Sequence, residues 1–333
     1  MTISLSHDAS GAPQYEIAVF EDVSAECERN ERLAKQQRAL SELAKGVVLR
    51  GMAADDAIRS LTQMAAETLG VERASYWRLD ADRTAIECVD LFERAARRHS
   101  AGARLTAADY PRYFTALLRE EPIAAADARA DARTSEFSGG YLESHGIGAM
   151  LDAPVFVNGR PAGVLCHEHV GGPRDWQSDE LVFAAAIAGM VALTLEGAER
   201  LRADWLAALE HAITKNLAQA DSASSGLRGS LAILCESERW EAARYYGADD
   251  EAGLLRCRES WTISDAQYRA FNAMSSSLAF ARGVGVPGLV WESGEPTWVP
   301  DVTKDARIVI SALAGQSAIR SAFMFPVASR GRT

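Results

Sequence analysis

The chain has 333 residues, 48% of them hydrophobic and 24% charged, with a formal net charge of −11. That length suits two domains with real cores, and the acidic balance argues against a nucleic-acid-binding surface, which needs a basic patch. The opening MTISLSHDASGAPQYE lacks a basic segment followed by an apolar core, and no apolar run is expected to reach the roughly 18 residues of a membrane span. The expectation is a cytoplasmic protein with no membrane contact. Five widely spaced cysteines, Cys27, Cys88, Cys166, Cys235 and Cys257, fit reduced thiols better than a disulfide framework.

Tyr15 to Val23 alternates like a strand and runs into a charged helical stretch, Glu26 to Lys45. Leu33, Leu40 and Val47 are seven apart, with Leu43 between the last two. That is the spacing of a two-helix seam, although a helix packed on its own sheet reads the same way. Ala57, Leu61, Met64, Ala65 and Leu69 predict an amphipathic helix over 54–69, stopped by Gly70. Val71–Leu79 and Ala85–Phe92 predict an antiparallel pair around Asp80-Ala81-Asp82. A short helix follows over Tyr110–Arg119, then a strand at 122–126.

Met150, Ala153, Val155 and Val157 form an apolar run ending at Asn158-Gly159. Both turn residues tolerate positive φ, so a hairpin is predicted, with Ala162–Cys166 in its second strand. After Trp176 a helical pattern from Phe183 to Leu217 continues without a stop, predicting one helix over about 177–218. Such a long apolar stripe calls for a partner, and a second copy is the simplest one.

The chain then repeats itself. Glu121-Pro122, Asp127 and Asp131 recur as Glu295-Pro296, Asp301 and Asp305, while Ile147, Pro154, Val155 and Gly159 recur as Ile319, Pro326, Val327 and Gly331. Irregular residues matching at nearly one offset indicate duplication. The four aspartates are expected to cap turns or helix starts.

The stretch YLESHGIGAMLDAPVFVNGRPAGVLCHEHV, 141–170, resembles the second half of a GAF domain, the small-molecule sensing module of bacterial signalling proteins. The resemblance covers about residues 40–200, and GVGVPGLVWESGEPTWVPDV, 283–302, is similar to a second GAF pattern. It implies an α+β fold of two GAF-like domains, each an antiparallel sheet with helices packed on it, joined by a long helix. The implied division is 1–29 as the tail of a PAS-like domain, 30–200 as a complete GAF domain, and 201–333 as a second one lacking its C-terminal part. A lone N-terminal strand is the alternative for the first segment. The expectation is a piece of a longer protein, the tandem sensor region of a PAS/GAF histidine kinase or diguanylate cyclase.

In such a domain a ligand would sit between the sheet and the loops over about 105–146. The candidate contacts are Tyr110, Tyr113, Phe114, Phe137, Tyr141, Met150, His167 and His169, most of the aromatics reading as core before they read as ligand contacts. His167 and His169 share one strand face, with Cys166 and Glu168 on the other. Two histidines fall short of the three or four ligands of most metal sites, so no metal is expected. The Cys166-His167 pair resembles one in phytochromes, whose histidine lies against the bilin. The tethering cysteine of plant-type phytochromes and their Asp-Ile-Pro segment have no match here, nor does the cyclic-nucleotide pattern. The cofactor therefore remains unknown.

ADWLAALEHAITKNL, 203–217, resembles a kinase phosphoacceptor helix with His211 in the histidine's place. Ala212 and Asn216 depart from that pattern, and an amphipathic linker explains the same residues. No catalytic residue is identified: there is no phosphate-cradling GxxxxGK[ST], no cyclase signature and no nucleophile in a recognisable setting. The expected function is a sensory module that dimerises through helices 30–48 and 177–218, takes a small-molecule ligand, and relays a signal to an output domain. The alternatives are the regulatory part of a signalling enzyme and a ligand-free dimerisation scaffold.

Overall fold

The computed structural model describes residues 2–19, 23–44, 52–119, 121–308 and 319–328. Backbone contacts divide the chain into two units, Met1–Leu201 and Arg202–Thr333.

The first unit opens with an antiparallel hairpin, β1 (Thr2–His7) and β2 (Pro13–Val19). The sequence reading expected a single strand over Tyr15–Val23; the described strand, Pro13–Val19, has a partner in the preceding residues, and positions 20–22 lie outside the described residues. Helices α1 (Ser24–Ala44) and α2 (Ala54–Leu69) follow. Gly70 stops α2 in the left-handed conformation, φ 67°, and its N–H bonds the carbonyl of Ala66.

Seven strands then form one antiparallel sheet: β3 (Arg73–Leu79), β4 (Ala85–Glu93), β5 (Arg98–Ser100), β6 (Arg104–Thr106), β7 (Ile123–Ala125), β8 (Ile147–Val157) and β9 (Arg160–Val170). Their order is β5-β4-β3-β9-β8-β7, with β6 on another stretch of β4. Asp80 tightens the β3–β4 turn by accepting the backbone N–H groups of Thr84 (2.7 Å) and Ala85 (3.1 Å). Asn158 (φ 51°) and Gly159 (φ 72°) turn the β8–β9 hairpin, as the dipeptide predicts. In mid-sheet, Gly163 lets β9 approach β3 so closely that a Cβ there would stand 2.1 Å from the Trp77 carbonyl.

The sheet has two differently built faces. On one, Leu43 of α1, Ile58, Leu61 and Ala65 of α2, and Phe183, Ile187 and Val191 of α5 (Ser178–Gln219) pack on Ala74, Tyr76, Phe92, Leu151, Val155 and Leu165. On the other, Trp77, Ile86, Cys88, Met150, Val164 and Cys166 lie under side chains of the segment between β6 and β8. That segment contains α3 (Pro111–Leu117), a 3₁₀ turn at Ser135–Phe137, a π-helical turn at Ser138–Leu142 and the single turn α4 (Glu143–His145).

Helix α5 corrects one reading of the composition. An 18-residue window in it has mean hydropathy 1.9, so by length and composition it could cross a membrane. Its buried residues Phe183, Ala184, Ile187, Ala188 and Val191 belong to the core of the sheet's helical face. The helix start is fixed by Glu180, which accepts the N–H of Gln177 (2.9 Å) and an Arg174 N–H (2.6 Å).

In the second unit α6 (Ala223–Glu238) precedes β10 (Ala242–Asp249) and β11 (Leu254–Thr262), then α7 (Ala266–Ser276), β12 (Ala279–Ala281), α8 (Gly285–Ser293), β13 (Thr297–Val299) and β14 (Ala322–Met324). Strands β10, β11 and β12 form one sheet and β13–β14 a second. The offsets of the expected repeat recur in one strand pairing of each unit. In the first unit Ile123, Ala124 and Ala125 pair with Asp152, Leu151 and Met150; in the second, Thr297, Trp298 and Val299 pair with Met324, Phe323 and Ala322, the same register at the repeat offsets. Asp127 and Asp301 each accept the N–H two residues on, and Asp131 and Asp305 each hold the arginine two residues on. Val47 of the expected seam and the turn at Gly331 lie outside the described residues.

Candidate ligand-binding face of the sheet

Strand parity decides what the loop-covered face carries. Across the ladder, Cys166 pairs with Asp152 and Ser75, and Glu168 with Met150 and Arg73. Asp152, Met150, Cys166 and Glu168 therefore project toward the covering segment, while His167, paired with Leu151 and Ala74, projects toward the helices. The Cys166-His167 pair is thus split between the two faces.

Five of the expected contact residues come together in the cover. Tyr113 and Phe114 are held by α3, whose first turn is capped by Glu136: its carboxylate accepts the N–H groups of Arg112 (2.9 Å) and Tyr113 (3.1 Å). Phe137 lies at the centre of a ring cluster, 4.3 Å from Tyr110, 4.8 Å from Tyr113 and 6.1 Å from Tyr141 between centroids. Met150 lies in the same cluster, on β8. His167 and His169 are not with them. The Nδ1–H of His167 donates to the Leu151 carbonyl at 2.7 Å, since a carbonyl only accepts, leaving Nε2 buried and unpartnered. Burial holds its imidazole near a pKa of about 4, hence neutral. His169 sits at the sheet end, 2.9 Å from a Glu72 oxygen.

Two buried carboxylates stand beneath the aromatic layer, and sequence reasoning singled out neither. Glu168 accepts Arg73 Nε at 2.7 Å and the Tyr141 hydroxyl at 2.8 Å, while Arg73 Nη2 donates to the same hydroxyl at 3.2 Å. Burial, then the charge of Glu168, drives the Tyr141 phenol far above its ordinary range. Asp152 has no such cation in contact. It is fully buried, accepts the Tyr113 hydroxyl on Oδ2 at 2.7 Å, and its Oδ1 has no partner. Burial raises its pKa to about 7 against the lowering effect of that hydrogen bond. The Cys166 thiol beside Tyr113 (3.8 Å) is likewise pushed up by burial, which makes it a poor nucleophile.

Among the described residues no three His, Cys, Asp or Glu side chains converge to hold a metal ion. Two open grooves, of about 340 and 380 Å³, lie along α1, against the start of α5 and the end of α2 respectively, away from the aromatic layer.

An antiparallel sheet backed by helices on one face and closed by an aromatic-rich cover on the other agrees with the family comparison, in which the GAF domain model matches residues 53–195. Residues 53–195 form a GAF domain. Solved GAF domains similar to it include that of a phosphoenolpyruvate-protein phosphotransferase from Coxiella burnetii, at 16% identity and TM-score 0.43 over 51% of this chain and 98% of that one. The blue-light-absorbing form of the PixJ GAF domain from Thermosynechococcus elongatus is 19% identical, TM-score 0.42, over 47% and 93%. The phycocyanobilin-bound GAF domain of a cyanobacterial phytochrome is 17% identical, TM-score 0.40, over 50% and 94%. No curated protein matches the chain.

Proposed function

We propose that the chain is a sensory module whose GAF domain binds a small organic molecule between its sheet and the cover over 105–146. The observation that carries this reading is Asp152: a fully buried carboxyl on the loop-covered face with one oxygen left open. A buried polar atom without a partner is costly and rare, and it clusters at functional sites. In this reading the ligand changes the packing of the cover on the sheet, and α1 and α5, packed on the opposite face, pass the change on as a two-state shift. Residues 201–333 act as a second copy of the domain, which the matching ladder register supports.

The receiving element is an output domain reached through a dimer of two chains. Support for the dimer comes from large apolar side chains that α5 leaves exposed, Val182, Leu193, Leu201 and Leu206 among them. A second reading, a dimerisation scaffold that takes no ligand, is favoured by the close ring packing around Phe137. A thermal-shift screen of the full chain against a metabolite library separates the two. The sensor reading expects at least one compound to raise the melting temperature by several degrees. A library without effect, on a protein that melts cooperatively, favours the scaffold.

A further inference from the structure

The open oxygen of Asp152 states what kind of atom is missing. Its position in mid-sheet, between β7 and β9, keeps it from water. Burial favours the protonated carboxyl below about pH 7; once ionised, its oxygen only accepts, so the complement that holds it ionised is an N–H or O–H donor. The protein's own donors nearby are committed. The Tyr113 hydroxyl serves Oδ2, and the Cys166 thiol opposite on β9, a weak donor, bonds the same carboxyl without filling Oδ1. Arg133 is held by Asp131 and the Ala124 carbonyl. Arg73 is held by Glu168, Tyr141 and Glu93. Of the two carboxylates on this face, Glu168 has a guanidinium in contact and Asp152 has none, so the missing complement is a donor with positive character.

The surroundings define the rest of that molecule. Tyr113, Phe137 and Tyr141 form a layer of ring faces and edges over the carboxylates, suited to a flat body. The cover also has an element through which such a body could enter. Phe137 immediately precedes the π-helical turn Ser138–Leu142 and Tyr141 lies within it, after Gly139-Gly140; neither glycine has an atom within 4 Å of where a Cβ would stand. π-Turns are rare and concentrate at functional sites, and a glycine pair in open space can rearrange cheaply.

We propose that this face binds a small aromatic nitrogen base, whose N–H group donates to Asp152 Oδ1 while its ring enters the layer around Phe137. The assignment rests on the reading of the domain as a small-molecule sensor and adds the ligand's chemical class.

The test uses three probes with one ring and different heads on the full chain: benzamidine, benzoate and toluene, followed by ligand-detected NMR saturation transfer and titration. Benzamidine is expected to bind more tightly than toluene, and benzoate not at all. Asp152→Asn removes the charge while keeping an acceptor for Tyr113. It is expected to weaken benzamidine at least tenfold and leave toluene unchanged, with a melting curve confirming that the variant folds. Equal binding of benzamidine and toluene, or benzamidine binding that ignores Asp152→Asn, overturns the assigned class and leaves the sensor reading standing. Failure of all three probes on the folded protein likewise overturns the assigned class, and the metabolite screen then decides the sensor reading.

Discussion

Replacing Asp152 by Asn should reveal a pH dependence of stability that the native protein partly hides. The folded-state pKa of Asp152 lies at about 7 against an ordinary 3.8. The native state thus keeps a proton that the unfolded chain has lost, and stability falls as pH rises from about 4 to about 7. At about 1.4 kcal/mol per pH unit, the full effect is on the order of 4 kcal/mol. His167 acts in the opposite sense: its folded pKa of about 4 lies below the ordinary 6.5, so its contribution is present above 6.5 and lost as pH falls toward 4. In the native protein the two slopes oppose each other. Urea unfolding at half-unit steps from pH 4 to 8 separates them. The stability of Asp152→Asn relative to the native chain should climb by roughly 4 kcal/mol between pH 4 and 7 and then level. That of His167→Leu should fall over pH 4–6.5. A pH-independent difference for Asp152→Asn would refute the argument, because it would mean that the folded protein does not hold that proton.

Three further outcomes follow from the packing. Arg73→Met leaves Glu168 charged in a buried site and should cost about 3–5 kcal/mol in urea unfolding, most of it restored by adding Glu168→Leu. Gly163→Ala drives a Cβ to 2.1 Å from the Trp77 carbonyl and should cost about 3 kcal/mol or more, whereas Gly140→Ala, in open space, should stay within about 0.5 kcal/mol. Val182→Glu with Leu193→Glu, both on the exposed side of α5, should convert a dimer to a monomer by light scattering without lowering the melting temperature; an unchanged dimer would remove α5 from the interface.

The parts of the fold set by local chemistry were legible in the sequence. Asn158-Gly159 announced the hairpin, Gly70 the end of α2, and the uninterrupted apolar recurrence the length of α5. The candidate site was legible only in part. Alternation on β9 separates His167 from Cys166, but alternation alone does not say which side meets the cover, and the histidines are on the other side. Asp152 did carry a signal, a lone acid inside the apolar run MLDAPV, where a charged residue is seldom fully buried. The Arg73–Glu168 pair carried none, because its partners are 95 residues apart and meet only when β3 pairs with β9. The apolar window of α5 was passed over because Gly and Ala break up its larger side chains.

The most direct test of the sensor account is a native mass spectrum of the full chain released gently from cell lysate, recorded beside that of Asp152→Asn. The account predicts a discrete extra mass on the native chain, of the size of a small organic molecule, that is lost or reduced in the variant. A bare native chain that stays bare when small molecules from the lysate are added back would contradict it.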